Sequence, residues 1–402
     1  MIKRELYFDK IQAFIDKPFV KVLTGVRRCG KSSILKLLKD KLLSRGIAQE
    51  QIISINFESF AYSEIATAKD LYEYVKQKIT VPSDKYYLLL DEIQEVSEWE
   101  KAVNSFLVDF NTDIYITGSN SKLLSSELAT YLAGRYVEIP VFTLSFQEYL
   151  LFRKTYFPDE KADFSHYLRT GGFPVTHTAD YETDTIYKIV YDIYSSVILR
   201  DTIQRHNIRE VELLERVVKY IFDNIGNSFS AKNVSDYFKS QQRNINLNTV
   251  YNYLSALESA FIVYRVPRYD VKGKEILKTQ EKYYISDVAL LYAVMGYRDT
   301  MIGAILENIV FLELKRREYN VYVGKSRNNE IDFIAENRQG KIYVQVAYKL
   351  EAETTIKREF DTLLSINDQY PKYVVTMDEF WKENVGGVQH CHIIDFLQKK
   401  DL

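Results

Sequence analysis

A chain of 402 residues is longer than one hydrophobic core usually organises, so at roughly 150 residues per domain it predicts two or three domains and excludes a single small module. Hydrophobic residues at 46% and charged residues at 27% are ordinary for folded chains and exclude a largely disordered or fibrous one. The 53 Lys and Arg nearly cancel the 55 Asp and Glu, so any grip on nucleic acid has to come from a local patch rather than the net field.

In chain order, the apolar runs FVKVLT, IISINFE, YYLLLD, DIYITG and YVEIPV read as strands covered on both faces. Between them, SSILKLLKDKLLSRG, DLYEYVKQKI and KAVNSFLVDF carry apolar residues at helical spacing. That alternation predicts an α/β domain over 1–145, with five β/α units in a parallel sheet. Over 146–227 the strand signal gives way to helical patterns such as ETDTIYKIVYDIYSSVILRDTI and REVELLERVVKYIFDNI. Within 228–282, FSAKNVSDYFKS and LNTVYNYLSALESA predict two short helices and FIVYRVPRYD begins a β-ribbon, which is winged-helix order. Over 283–402, the helix IGAILENIVFLELKRREY, strands NVYVGK, EIDFIAE and KIYVQVAY, helix IKREFDTLLSI and strands YVVTM and HIIDFL predict a second α/β domain. Seven prolines and no Ser/Gly-rich linker predict close-packed domains. Two cysteines, Cys29 and Cys391, exclude a disulfide framework, and the charged N-terminus MIKRELYFDK does not suit a signal peptide. No apolar run approaches the roughly 18–20 residues of a membrane span, so the expected setting is a reducing cytoplasm without a membrane partner. The 32 Tyr and 22 Phe are read as packing at domain seams rather than as a base-stacking platform.

The first predicted strand runs into Gly25-Val26-Arg27-Arg28-Cys29-Gly30-Lys31-Ser32 and then a helix that opens with Ser33, the G-x-x-x-x-G-K-[ST] pattern in its required context. Glycines let backbone N–H groups curl around phosphate oxygens. Lys31 brings charge to the β- and γ-phosphates, Ser32 offers a hydroxyl to Mg²⁺, and the helix N-terminus adds its partial positive charge. Sixty residues on, YYLLLDEIQ ends a strand with Asp91 and Glu92, where Asp91 would hold Mg²⁺ and Glu92 would orient and deprotonate the attacking water. The next strand ends at Thr117-Gly118-Ser119-Asn120, so Ser119 or Asn120 could bond the γ-phosphate or that water, although turn chemistry alone also selects them. Arg135 stands just before the fifth strand, where it suits either an arginine finger toward a neighbouring subunit or a surface salt bridge. Cys29, inside the loop, is either an inert small residue or, as a thiolate near Lys31, oxidation-sensitive.

These residues resemble a known family, the prokaryotic AAA-type (AAA+) P-loop ATPases whose C-terminal half is a winged helix followed by a PD-(D/E)xK nuclease-like domain of unknown function. GVRRCGKS, LLLDEIQ, ITGSNS, LAGRYVEIP, LSFQEY, GGFP, Arg200-Asp201 and KYYISD carry the resemblance, which spans nearly the whole chain. It implies a five-stranded sheet of AAA+ order, a helical lid over 146–227, ATP with Mg²⁺, and Arg135 as the finger, hence a homo-oligomer, either dimer or ring. Adenine over guanine rests on the resemblance too, since no N-K-x-D follows the fourth strand.

In the winged-helix segment the second helix would present Asn248, Thr249, Asn252 and Ser255, with Lys232, Lys239, Arg243, Arg265, Arg268, Lys272 and Lys274 nearby in sequence. They suit phosphate contacts, with Asn252 reading a base edge, and equally suit a lid or a protein contact. The last domain resembles the PD-(D/E)xK nucleases through Glu307, Asp332 and Gln345. Where that family has a second carboxylate and a lysine, Gln345 and Ala347 stand, an amide for an anionic ligand and no cation. Strand alternation puts Gln345, Ala347 and Lys349 on one face, so Lys349 is the candidate substitute, and Glu330 shares a face with Asp332. A hydrolytically dead, recognition or structural domain is expected ahead of a working nuclease.

The reading as a whole is a Mg²⁺-dependent ATPase whose hydrolysis drives conformational change or remodelling on DNA or a DNA-bound partner. An ATP-gated metal-dependent DNA nuclease, and a slow nucleotide-bound switch or scaffold in defence or toxin control, are the alternatives.

Overall fold

Five runs that are mostly Val, Ile, Leu and Tyr build the first sheet of the computed structural model, which describes residues 2–121, 131–132, 134–160, 162–241, 245–270, 275–296, 298–326, 329–351, 353–379 and 384–402. They are β1 (Val20–Thr24), β2 (Ile52–Asn56), β3 (Tyr86–Asp91), β4 (Thr112–Gly118) and β5 (Tyr136–Pro140), in the order β2-β3-β4-β1-β5. Every pairing is parallel, as expected for strands whose faces are both covered. Helices Lys31–Ser44, Ala68–Lys78 and Trp99–Asp109 supply the crossovers. The second opens on a capping box, in which the Thr67 hydroxyl accepts the Asp70 N–H while the Asp70 carboxylate accepts the Thr67 N–H. Val22, Leu88, Leu90, Ile114 and Ile116 pack with Trp99 and Phe106 into one core cluster. Because β4 lies between β3 and β1, their C-terminal ends leave a crevice at which the strand order reverses.

The chain divides into two compact units, Met1–Thr143 with Ser259–Phe261, and Leu144–Glu258 with Ile262–Leu402. The second begins with helices Phe146–Tyr156, Phe164–Thr170, Thr183–Ser196, Val211–Asp223, Ala231–Ser240 and Leu247–Ser259. A π-helical stretch, Val197–Gln204, continues the third of them. Strands β6 (Val263–Asp270) and β7 (Glu275–Ile285) then pair antiparallel, with an irregularity at Val266/Arg268, where Pro267 lacks an N–H to donate. Helices Val288–Met295 and Ile302–Arg316 lead into β8 (Asn320–Ser326), β9 (Asn329–Glu336) and β10 (Lys341–Val346). Helix Glu353–Leu364, β11 (Lys372–Thr376), β12 (Asn384–Val385) and β13 (Val388–His392) follow.

These strands form one mixed sheet, β12-β13-β11-β10-β9-β8-β6-β7. The strand pair that sequence order assigns to a winged helix is thus bonded, through parallel pairing of β6 with β8, into the same sheet as the C-terminal strands. One expected strand is corrected. HIIDFL ends β13 at His392, whose ring accepts the Ile394 N–H and caps a helix Ile393–Gln398. Ile393, Phe396 and Leu397 are buried at helical spacing. The expected helix SSELATYLAG falls largely on residues outside those described. Among the described residues no helix is long and apolar enough to cross a membrane.

Candidate nucleotide-binding site

The chain leaves β1 with Gly25 at φ +145°, and a Cβ there would lie 2.1 Å from the carbonyl oxygen of Val141, so only glycine lets the loop pass beneath that segment. Gly30, at φ +107°, turns the loop into the N-terminus of helix Lys31–Ser44, whose first N–H groups are a ready anion site. Val26 and Cys29 are buried beneath the loop, while Arg28 is exposed at φ +67°. Arg27 is 7% exposed and pairs with Glu58. Ser33 is exposed on the helix. The Lys31 ammonium donates to the carbonyls of Gly25 at 2.8 Å and Val26 at 3.2 Å, and lies 3.9 Å from a Glu92 carboxylate oxygen.

From across the crevice the acidic pair meets this loop. The Ser32 hydroxyl lies 3.1 Å from Asp91 Oδ1. These are hard oxygen donors converging beside the loop, so the residues present fit a Mg²⁺ ion. Burial raises the Asp91 pKa above the usual carboxylate value, and hydrogen bonds from Thr117 and Ser32 offset part of this. Glu92 follows with φ +56°, the left-handed region that a non-glycine residue adopts only when its surroundings hold it there. Burial raises the Glu92 carboxyl, but the Lys31 charge, a bond from Gln94, the Arg27 charge and a bond from Ser119 more than offset it and leave it low. Ser119 and Asn120 are both buried past the end of β4. An anionic, partly desolvated carboxylate beside a phosphate loop is chemically a base for water.

Two residues that sequence reasoning missed hold the site together. Thr117 donates its hydroxyl to Asp91 Oδ1 at 2.5 Å and accepts the Glu92 backbone N–H at 2.9 Å. Its signal was the β3–β4 register, in which Leu90 faces Ile116 and Asp91 therefore abuts Thr117. The second is Arg4, 5% exposed, whose guanidinium donates to the carbonyls of Cys29 at 2.8 Å, Phe142 at 2.9 Å and Thr143 at 3.2 Å. No motif marks it. Of the two readings of Cys29, its environment favours the inert one: the side chain is buried, and burial raises the thiol pKa despite the Lys31 charge. Arg135 is exposed and donates to Asn104 Oδ1 at 2.7 Å and the Tyr131 carbonyl at 3.4 Å.

In the second unit Asn248, Asn252 and Ser255 are exposed on helix Leu247–Ser259, and Lys232 is exposed on the preceding helix. Arg265 pairs with Glu281, Arg268 with Gln280 and Lys239 with Asp236. Arg243, Lys272 and Lys274 lie outside the described residues.

Glu307, Glu330, Asp332 and Gln345 line one cavity of about 950 Å³. Lys349 lines it as well, but its ammonium is paired with Glu351 at 3.1 Å and not with Asp332, because β10 ends at Val346 and strand alternation stops there. Among the described residues, Lys282 of β7 is the cation paired with Glu307, Glu330 and Asp332.

Residues 17–150 match the AAA domain family, residues 161–300 a domain of unknown function (DUF8612), and residues 302–390 a second one (DUF4143). An uncharacterized protein of Haemophilus influenzae is 40% identical over 99% of this chain and 98% of its own length. One from Methanocaldococcus jannaschii is 33% identical over 92% and 85%. Among solved structures, a Walker-type ATPase of Pyrococcus abyssi superposes with a TM-score of 0.52 at 15% identity, covering 73% of this chain and 96% of that one, a likeness of fold.

Proposed function

Because the chain belongs to the same family as its Haemophilus influenzae relative and opens with an AAA domain of P-loop fold, we propose that it is a Mg²⁺-dependent ATPase, hydrolysing ATP to ADP and phosphate. The observation that carries this reading is the convergence of Lys31, Ser32, Asp91 and Glu92 across the crevice at the β1 and β3 ends. The N-terminus of helix Lys31–Ser44 binds the phosphates through its N–H groups, with Lys31 turning from loop carbonyls to phosphate oxygens. Ser32 and Asp91 would hold Mg²⁺, which when bound neutralises charge on the β- and γ-phosphates. Glu92, kept anionic by Lys31, Gln94 and Arg27, takes a proton from the attacking water. Ser119, bonded to Glu92, helps fix that carboxylate. Arg135, acting from a neighbouring copy in a dimer or ring, stabilises the charge that develops as the γ-phosphoryl leaves.

Turnover drives conformational change or remodelling on DNA or a DNA-bound partner. The exposed Asn248, Asn252 and Ser255 face of helix Leu247–Ser259 and the exposed Lys232 support this. A salt series of ATPase stimulation by duplex DNA tests it, since phosphate contacts impose a steep salt dependence and a flat response removes the DNA reading. For the ATPase reading itself, Glu92→Gln is expected to keep ATP binding while slowing phosphate release by about 10²–10⁴-fold. An unslowed Glu92→Gln chain overturns the role given to that carboxylate.

A further inference from the structure

The likeness to PD-(D/E)xK nucleases implies a divalent cation held by Glu307, Asp332 and the residue at position 345. The residues present do not fit one. Gln345 brings no charge, and its Oε1 is engaged by the Asp332 backbone N–H at 3.1 Å. Asp332 Oδ2 accepts the Val346 N–H at 2.8 Å. Glu307 Oε1 accepts both the Tyr284 hydroxyl and the Lys282 ammonium, the latter at 3.0 Å. Lys282 Nζ also stands 2.8 Å from Glu330 and 3.7 Å from Asp332, so one ammonium serves three carboxylates. Its side chain is 3% exposed.

We infer that Lys282 is the built-in cation of this pocket, occupying the place that a divalent metal takes in the nucleases and closing the carboxylate cluster to metal. A hard dication needs anionic oxygens at about 2.0–2.6 Å, and the same oxygens are already shared by an ammonium at hydrogen-bond distance. Placing both cations among three carboxylates sets like charges a few ångströms apart in a desolvated cavity, where their repulsion is poorly screened. Burial works against the Lys282 ammonium, but Glu307, Asp332 and Glu330 more than offset it, and its pKa stands above the ordinary lysine value. Lys282 is anchored in β7, Glu307 on helix Ile302–Arg316, and Glu330 and Asp332 on β9. The ammonium thus ties β7 to helix Ile302–Arg316 and to β9, which is not its neighbour in the sheet, a structural use of groups that in a nuclease would serve hydrolysis. Breaking such a cluster by removing the cation leaves uncompensated buried carboxylates, which a metal ion can then satisfy.

Mn²⁺ uptake by the full, metal-stripped, nucleotide-free chain, read by electron paramagnetic resonance, tests this without relying on activity. The native chain and Asp332→Asn are expected to take up equal Mn²⁺, because the pocket contributes none. Lys282→Met is expected to gain one equivalent per chain at sub-millimolar Mn²⁺, and Lys282→Met with Asp332→Asn to lose it again. Uptake by the native chain that exceeds Asp332→Asn by one equivalent, or no gain in a folded Lys282→Met chain, overturns the inference. Should Lys282→Met fail to fold, the first comparison decides: equal uptake upholds the inference and unequal uptake overturns it.

Discussion

The Thr117 hydroxyl donates to Asp91 Oδ1 at 2.5 Å, and Thr117 Oγ1 accepts the Glu92 N–H at 2.9 Å, so one side chain on β4 sets the positions of both acids at the end of β3. It also helps hold Glu92 at its positive φ of +56°. Thr117→Val keeps the shape and removes both bonds. Leaving the buried Glu92 N–H without its acceptor, and Asp91 Oδ1 with Ser32 alone, costs roughly 1–3 kcal/mol, so ATP turnover is expected to fall by about tenfold or more with ATP binding much less affected. Steady-state phosphate release set beside equilibrium nucleotide binding separates the two, and a Thr117→Val chain with native turnover contradicts the positioning role.

Arg135 is exposed, and its bonds to Asn104 and the Tyr131 carbonyl are those of a surface side chain that is free to serve another molecule. Arg135→Ala should lower turnover by about 10³-fold or more if it acts as a finger. Mixing Arg135→Ala with Lys31→Ala should restore part of the activity, since one copy then supplies an intact phosphate loop and the other an intact guanidinium. A mixture as inactive as either parent shows that Arg135 does not act between subunits.

His177 is expected to make the second unit acid-sensitive. Its Nε2 pairs with the Gly171 carbonyl at 2.9 Å, and Nδ1 is buried without a hydrogen-bond partner. Burial lowers its pKa to about 4, against the pull of that carbonyl. Between the ordinary histidine value of about 6.5 and this value the unfolded chain binds a proton that the folded chain refuses. Stability is therefore expected to fall as pH drops from 6.5 toward 4, by about 3 kcal/mol from this residue, and to gain nothing further from it above 6.5. Urea unfolding across that range measures the slope, and His177→Gln should flatten it by about one proton. An unchanged slope in the variant assigns the acid sensitivity elsewhere.

What could be read from the sequence follows the range of each signal. Gly25 to Ser32 is a contiguous pattern in which the residues fix their own geometry, and β1 to β5 announce themselves as two-sided apolar runs. Thr117 stayed hidden because its role arises from the pairing of β3 with β4, 26 positions away from Asp91 in the chain. Lys282 is farther still, since sequence order puts it in another module while the fold brings its ammonium within 3.7 Å of Asp332 from a strand that is not a sheet neighbour of β9. Arg4 acts on Phe142 across 138 positions, a contact no local pattern encodes. HIIDFL misled because a short apolar run suits strand and helix alike until the His392 cap is seen.

In the proposed ATPase the loop after β1 holds a triphosphate through Lys31. Equilibrium titration of ATP with Mg²⁺ against the native chain and Lys31→Ala measures it most directly. One ATP per native chain is expected, with binding at least about a hundredfold weaker in Lys31→Ala, in keeping with the loss of a charge-assisted contact to phosphate. A native chain that retains no nucleotide, or a Lys31→Ala chain that binds ATP as the native one does, contradicts the account.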